Sequence, residues 1–543
     1  MNSPRQSQSV VLAVLVAAVA GCSSPFHIST GDFAQTDEQR LRTIPSLDVR
    51  SFRIEDETSA VDAGFRSRLS TSDRVELDLA DVRAAAITNN LDIRVARLDP
   101  AIADETVNEE AARFDSVFRI DASYDESDAP AATTLNATEA NVQSVTPTLT
   151  KPLLTGGTVD LSLPTSRVSN DNTFTTLNPS FQSDFVVRLT QPLLRGAGRA
   201  ATTAQLRLAG ISRSVTTIRA RASIAATLIG VDRSYWELWA AREQLELRTE
   251  EFDVAREVLA QARRLVAAGA AAEIEITRAE SGVADRVSLL LALEQQVLRR
   301  QRELKRAMNT GDLLETDDSV LIPLSEPEPL PYRLETTSLV GVAMQTRPEL
   351  LELELELLAD TTRVALAKND ALPQLDASFT YRRNGLGAEL EGALNQIYQD
   401  EFEDYSFGLS ASIPIGNNAA EARVQRALLN RMSRVLTKQA RAQTVTQDVL
   451  DAAERLRSDW QRILASRQSV ALNARTLDAE QRQFTQGLST SVDVLEAAGR
   501  LAAARAEEIR AVADYELAQL ALAEATGTVL GRAAIELGDA DAP

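Results

Sequence analysis

Two long stretches of this 543-residue sequence contain no proline, and they constrain the fold more than any other feature. One runs from Leu193 to Ile322 and the other from Ile415 to Ala542. Both are rich in good helix formers, whereas a proline inside a helix costs roughly 3 kcal/mol. One glycine well inside each stretch, Gly269 or Gly487, interrupts the helical pattern. The first stretch therefore predicts a helix of about 70 residues, on the order of 105 Å long, and a second of about 40. Helices of this length need neighbours along an apolar stripe, as in a coiled coil or a barrel of helices.

The two stretches are also copies of each other. Gly269–Ile276 aligns with Gly487–Val494 at an offset of 218, and Asp121–Ser123 aligns with Asp376–Ser378 at an offset of 255. The difference of 37 residues indicates a longer insertion in the first copy between these anchors. We therefore predict two repeats, at 79–308 and 336–530. A proline-rich linker at 309–335 joins them, and a tail follows at 531–543.

Before each helical stretch, apolar and polar residues alternate, which predicts strands with one apolar face. Aromatic residues concentrate in the same regions, because 12 of the 24 lie within 114–185 and 379–407. Transmembrane barrels place aromatic side chains at the lipid interfaces, so we favour strands that cross a membrane. A soluble sheet packed on a core is the competing interpretation. The alternating runs are Phe118 to Tyr124, Val159 to Leu163, Phe185 to Leu189, Leu375 to Tyr381 and Phe407 to Ile413.

The N-terminus resembles a bacterial lipoprotein signal. Arg5 precedes a short apolar run from Val10 to Gly21, which is too short to span a bilayer as a helix. The sole cysteine follows it directly, so residues 1–21 are predicted to be removed and Cys22 to be lipidated. An ordinary signal peptide with an incidental cysteine is the alternative. Residues 22–78 are predicted to form a polar N-terminal strap segment.

Composition excludes several classes of function. With one cysteine and one histidine, His27, the chain cannot build disulfide frameworks or Cys/His zinc sites. The formal net charge of −21 argues against nucleic-acid binding, which needs clustered Lys and Arg. No phosphate-binding GxxxxGK[ST] motif is present, and the carboxylates form no recognisable catalytic site. We therefore expect no enzyme activity, no cofactor and no metal site.

By their order along the chain, their spacing and their duplication, four segments resemble the TolC-like outer-membrane efflux proteins. Leu189–Gly196 and Ser412–Ile415 are similar to the segments in which a strand leads into a helix. Thr346–Leu350 is similar to the start of the first helix of the second repeat, and Gly487–Ala497 is similar to the helical turn at the periplasmic tip. The resemblance implies a mainly α fold with β structure. Each chain of a homotrimer would add four strands to a twelve-stranded outer-membrane β-barrel, and its helices would form a periplasmic α-barrel. The linker and the tail would form an equatorial belt.

The same resemblance assigns roles to residues at the two turns. Asp493 and Glu496 match acidic positions that ring the closed periplasmic mouth, and Glu275 is their equivalent in the first repeat. A ring of carboxylates would favour cations. The spacing of Thr490 and Asp493 also fits a capping box, so both roles stay open. The turns themselves would be where a periplasmic adaptor docks: Gly269, Gly487, Leu488, Ser489 and Thr490. Ser489 stands where the family has an arginine, which puts contacts made by that arginine in doubt.

The expected function is a passive exit duct in the outer membrane, supplied by an inner-membrane pump through an adaptor protein. Export of small toxic molecules and type I secretion of polypeptides both fit. Copper or silver export is disfavoured, because four methionines and one histidine offer few soft ligands. The alternative from another class is a lipid-anchored periplasmic coiled-coil scaffold without a pore.

Overall fold

The computed structural model describes residues 73–130, 133, 136–311, 318–400, 402–486 and 488–532. The predicted signal at 1–21, the lipidation site Cys22, most of the strap segment at 22–78, Gly487 and the tail from 533 lie outside the described residues. Among the described helices, none is long and apolar enough to cross a membrane.

The first half of the described chain consists of helices on either side of a group of strands. Asp78 caps the first helix, where its carboxylate accepts from the Leu79 N–H, and Asn90 caps the second through the Asp92 and Ile93 N–H groups. The elements are β1 (Arg74–Leu77), α1 (Leu79–Asn89), α2 (Leu91–Ala112), β2 (Val117–Asp128), β3 (Glu139–Pro152), β4 (Thr158–Ser162), β5 (Thr165–Asn170), β6 (Ser180–Pro192), α3 (Arg199–Thr202), α4 (Ala204–Ala267) and α5 (Ile274–Met308).

The second half repeats this order with helices of nearly equal length. The long helices have 64 and 68 residues, and the helices that follow them have 35 each. The long helices predicted from the absence of proline are therefore confirmed. The elements are β7 (Val320–Pro323), α6 (Thr336–Thr346), α7 (Pro348–Asp370), β8 (Gln374–Gly387), α8 (Leu390–Gln399), β9 (Glu403–Ser412), α9 (Asn418–Thr485), α10 (Ser491–Ala525) and α11 (Val529–Arg532).

The linker between the repeats packs on the middle of α4. Its strand β7 pairs in parallel with β1, and both lie against a core that includes the buried Tyr235 and Trp236. The Tyr235 hydroxyl donates to the Leu77 carbonyl at 3.1 Å and accepts from the Ser325 N–H at 2.9 Å. One buried side chain thus binds both segments to the long helix.

Among the described residues, all strands other than β1 and β7 form one sheet. Its order is β2–β3–β4–β6–β8–β9, and β5 also lies between β3 and β6. Strands β4 and β5 follow one path, because both pair with β3 and β6 in an unchanged register. The break lies at Leu163 and Pro164, and proline lacks the N–H that a ladder needs. Hydrogen bonds continue across it, from the Leu163 N–H to Pro147 and from the Asp184 N–H to Pro164.

The fold class is confirmed as mainly α with β, and the sheet contains more strands than the four per chain that the resemblance implied for the barrel. The sheet has six strand positions, and four of them belong to the first repeat: β2, β3, β4 with β5, and β6. The insertion inferred from the repeat offsets supplies the difference, because its residues form the hairpin of β3 with β4 and β5. Within the described residues, the second repeat contributes only β8 and β9 to this sheet.

The sheet has one apolar and one polar face along its whole width. A single row of paired residues crosses all six positions on the apolar face: Phe118, Leu149, Leu161, Val187, Tyr381 and Tyr405. The row beside it on the opposite face is almost entirely polar: Val117, Thr150, Asp160, Arg188, Thr380 and Ser406. Many of the apolar side chains are exposed in the single chain, including Phe118 at 64% and Tyr405 at 69%. This is the polarity of a sheet with lipid on one side and water on the other.

Candidate functional site at the helical turns

The two helical turns end their long helices with equivalent backbone hydrogen bonds. At the first turn, the Ala270 N–H donates to the Leu265 carbonyl at 2.8 Å, and Gly269 has φ +71°. At the second, the Leu488 N–H donates to the Gln483 carbonyl at 3.0 Å. The bonds lie 218 residues apart and both are the six-to-one bond of a Schellman end, in which a glycine commonly takes the left-handed conformation. The Leu488 side chain is 74% exposed.

Asp493 caps the helix that follows the second turn. Its carboxylate accepts from the Thr490 N–H at 3.0 Å and from the Thr490 hydroxyl at 2.6 Å, while the Thr490 oxygen accepts from the Asp493 N–H at 3.3 Å. These bonds make the predicted capping box a feature of the structure. The Ser489 hydroxyl donates to the same carboxylate and to Glu480. The Thr490 hydroxyl, followed by its N–H and by Ser489, lowers the pKa of Asp493, so this carboxylate is charged at neutral pH.

Glu275 joins the two turns. Its carboxylate accepts from the Ser491 hydroxyl and pairs with Arg278 at 2.6 Å, and only 15% of the side chain is exposed. The Ser491 hydroxyl lowers the pKa of Glu275. Burial opposes this with a smaller effect, and the hydrogen bond from Arg278 lowers the pKa further. Glu496, by contrast, is 64% exposed, with Arg500 at 3.9 Å. The structure therefore brings Glu275 to the start of α10 and leaves Glu496 facing solvent in the single chain.

A buried ion pair near the turns was not predicted from the sequence. Arg286 on α5 pairs with Glu251 on α4 at 3.2 Å, and their side chains are 12% and 5% exposed. The Arg286 guanidinium also donates to the Leu495 carbonyl on α10 at 3.1 Å. One arginine thus connects both helices of the first hairpin to the second. Arg286 and Glu251 lie on different helices, so no local pattern predicts their pairing. The sequence offered only a weak indication that Glu251 is paired, because its i,i+3 spacing from Arg248 is typical of an ion pair within one helix.

The described residues around the turns offer acidic and hydroxyl groups. Nowhere in the described part of the chain do three or more His, Cys, Asp or Glu side chains gather so that they could hold a metal ion. This end of the helices carries negative charges at the starts of α5 and α10, on Glu275 and Asp493.

A family model described as outer membrane efflux protein matches residues 158–310 and 339–528, which is more than half of the chain. This chain belongs to the outer membrane efflux protein family. It is thus an outer-membrane channel of the efflux type, as the resemblance of its segments implied. The match to the first repeat begins at β4, after the strands β2 and β3.

Solved outer-membrane channels share the fold over most of their length. The outer-membrane channel OprN superimposes with a TM-score of 0.62 and 15% identity, covering 83% of this chain and 90% of that one. The CmeC channel of Campylobacter jejuni gives 0.61 and 15%, covering 83% and 85%. VceC of Vibrio cholerae gives 0.60 and 14%, covering 83% and 96%. No curated protein sequence matches the chain.

Proposed function

We propose that this member of the outer membrane efflux protein family works as a homotrimer, anchored by a lipid on Cys22, through which an inner-membrane pump and a periplasmic adaptor export solutes. The observation that carries the trimer is the open sheet. Its outer strands β2 and β9 have no partner along one edge among the described residues, and every one of their residues is exposed. Because unpaired backbone groups are too costly in lipid, strand edges from other copies must close the sheet.

The helical turns are the proposed adaptor-docking surface, namely Gly269, Gly487, Leu488, Ser489 and Thr490. The support is Leu488 at the end of the helical hairpin, a large apolar side chain that is exposed in the single chain. Leu488→Ser should weaken capture of the adaptor while leaving the trimer intact. Loss of the trimer in that variant, or unchanged capture, would contradict the docking role.

Asp493, Glu496 and Glu275 are the proposed acidic gate. Three-fold symmetry would bring copies of Asp493 and Glu496 together near the axis, and such a ring lowers the barrier for cations. Capping and gating do not compete here, because a capping carboxylate keeps its charge. Glu275 is tied to Ser491, so we propose that it holds the two turns together in the closed state and contributes less to the field in the pore.

The test is conductance in a planar bilayer. Asp493→Asn combined with Glu496→Gln should increase conductance or reduce the preference for cations. The matched control is Glu105→Gln combined with Glu109→Gln on α2, which removes the same charge from a distant helix and should change neither property. A folded protein without any channel activity would instead favour the scaffold without a pore.

The lipid anchor has a separate test. Mass spectrometry of the mature N-terminus should find a modified Cys22 and no trace of residues 1–21. Cys22→Ala should leave the signal uncleaved at that site. An unmodified cysteine in the mature protein would contradict the anchor without affecting the channel.

A further inference from the structure

The inserted hairpin of the first repeat changes the size of the channel wall. We propose that β3, β4 and β5 are part of the membrane wall, so that the trimer closes an eighteen-stranded barrel instead of a twelve-stranded one. This inference rests on the proposed trimer. It concerns the width of the outer exit through which the cargo leaves.

The position of the turn between β3 and β4 is the first argument. Residues 153–157 form this turn, which lies where the sheet meets the helices: the Gly198 N–H donates to the Thr155 carbonyl at 2.9 Å, just before α3. Gly156 has φ +93°, and a Cβ at this position would lie 2.2 Å from the Gly196 carbonyl oxygen. The chain therefore crosses the full height of the sheet on β3, reverses at the helical rim, and crosses it again on β4 and β5.

The polarity of the hairpin is the second argument. Leu149 and Leu161 extend the apolar row that runs between Phe118 and Val187, and Thr150 and Asp160 extend the polar row beside it. On the polar face, the Thr150 hydroxyl donates to the Asp160 carboxylate at 2.6 Å. The division holds in the half of the hairpin next to the helical rim. In the far half, Gln143 and Arg167 lie on the face of the leucines, as Arg383 does on β8. The hairpin thus has an apolar band beside those of its neighbours, as a segment of the membrane wall requires.

Length and direction are the third argument. β3 has 14 residues, and the path of β4 and β5 runs from 158 to 170, whereas a tilted strand needs about 9 to 11 residues to cross a bilayer. Every neighbouring pair in the sheet is antiparallel. Because each chain has six strand positions, which is an even number, the outer strands β2 and β9 run in opposite directions. Strand β9 of one copy can therefore pair antiparallel with β2 of the next.

The added strands widen the barrel substantially. With strands ~4.8 Å apart and tilted by ~40°, the backbone radius is ~12 Å for twelve strands and ~18 Å for eighteen. Barrels of 16 to 18 strands leave an aqueous channel after their side chains are accounted for. The outer exit would then be open and water-filled, and the constriction would lie at the helical turns.

The proposal is tested by spin-label distances in the purified full-length trimer. Leu409→Cys places a label on the apolar face of β9, where the side chain is 69% exposed. Equivalent backbone positions in a three-fold barrel are ~31 Å apart with eighteen strands and ~21 Å apart with twelve. The label points outward and adds the same length to the label-to-label distance in either barrel. The two barrels therefore still differ by ~10 Å in this distance. The same labelling applied to the protein without either substitution controls for any reaction at Cys22.

A second label separates the inference from the trimer itself. Arg455→Cys on α9 is exposed, and its three-fold distance does not depend on the number of strands. A defined distance from Arg455→Cys with the longer distance from Leu409→Cys supports the eighteen-stranded wall. A defined distance from Arg455→Cys with the shorter distance from Leu409→Cys overturns it and leaves the trimer standing. The absence of any defined distance at both sites overturns the trimer.

Solvent accessibility of two neighbouring residues gives an independent check. In proteoliposomes, a label at Leu161→Cys should be relaxed by oxygen, which concentrates in lipid, and a label at Ser162→Cys by a water-soluble nickel reagent. Equal access of the nickel reagent to both labels would place the hairpin outside the wall and refute the proposal.

Discussion

The buried pair of Arg286 and Glu251 should control how easily the helical turns separate. Arg286→Met removes the ion pair with Glu251 and the bond to the Leu495 carbonyl, which is one of the links from the first helical hairpin to the second. A hydrogen bond made by a charged group contributes about 1.5 to 3 kcal/mol. Breaking a buried ion pair can cost about 3 to 5 kcal/mol, but Glu251 keeps Arg248 as a partner, which reduces the loss. We therefore expect the local opening free energy to fall by about 2 kcal/mol.

Hydrogen exchange measured by mass spectrometry reports this opening directly. A change of about 2 kcal/mol should make the protected amides at the start of α5 and of α10 exchange roughly 30-fold faster. The matched control is Arg263→Met, which breaks an exposed ion pair with Glu280 between the same two helices; their side chains are 59% and 50% exposed. Exposed pairs contribute at most about 1 kcal/mol, so exchange should rise less than about 5-fold.

Two outcomes would refute this reasoning. One is equal acceleration in Arg286→Met and Arg263→Met, which would mean that burial of the pair does not matter. The other is acceleration confined to α5, which would mean that the bond to Leu495 does not couple the hairpins. A double-mutant cycle with Glu251→Gln should give a coupling energy of about 1 to 3 kcal/mol, and additive effects would exclude a direct interaction.

Three further predictions concern single groups. Thr490→Ala should destabilise the start of α10 by about 1 kcal/mol and speed exchange there about 5-fold, whereas Thr490→Ser should restore protection. The hydrogen bonds to Asp493 lower the pKa of its carboxyl group, so the charged carboxylate stabilises the start of α10 at any pH above the ordinary pKa of 3.8. This stabilisation is lost as the pH falls through the lower pKa of the folded protein. Hydrogen exchange at α10, corrected for intrinsic rates, should therefore rise below pH 4 in the native protein but not in Asp493→Asn. Burial raises the pKa of Glu516, so the free energy of unfolding should fall as the pH rises above the ordinary value of 4.5. Glu516→Gln should therefore raise the thermal midpoint at pH 8 and not at pH 4. An equal shift at the two pH values would contradict this prediction.

The helices and the capping box could be predicted from the sequence because both follow from local rules. The absence of proline and the helical periodicity lie within each stretch, and Thr490 and Asp493 are only three residues apart. The duplication added the equivalence of the two turns. The buried pair of Glu251 and Arg286 could not be predicted, because a charge on a long helix is usually exposed and its burial depends on which helices pack together.

The strand β3 shows why the sheet was harder to predict. Its outward residues include Asn141 and Gln143 beside Val145, so the alternation of apolar and polar residues is weak. Pro147 and Pro152 also argue against a central strand. What makes this segment a strand is its partners: β2 on one side and β4 with β5 on the other supply the hydrogen bonds.

The sequence by itself determined the lengths of the helices, their duplication, the place of the turns and the presence of an insertion, because proline, glycine and periodicity act on neighbouring residues. Only the tertiary structure decided that the insertion forms a hairpin inside the sheet, and that Arg286 is buried against Glu251. Strand pairing and burial depend on contacts between residues far apart in the chain, and no local pattern specifies which distant segments those are.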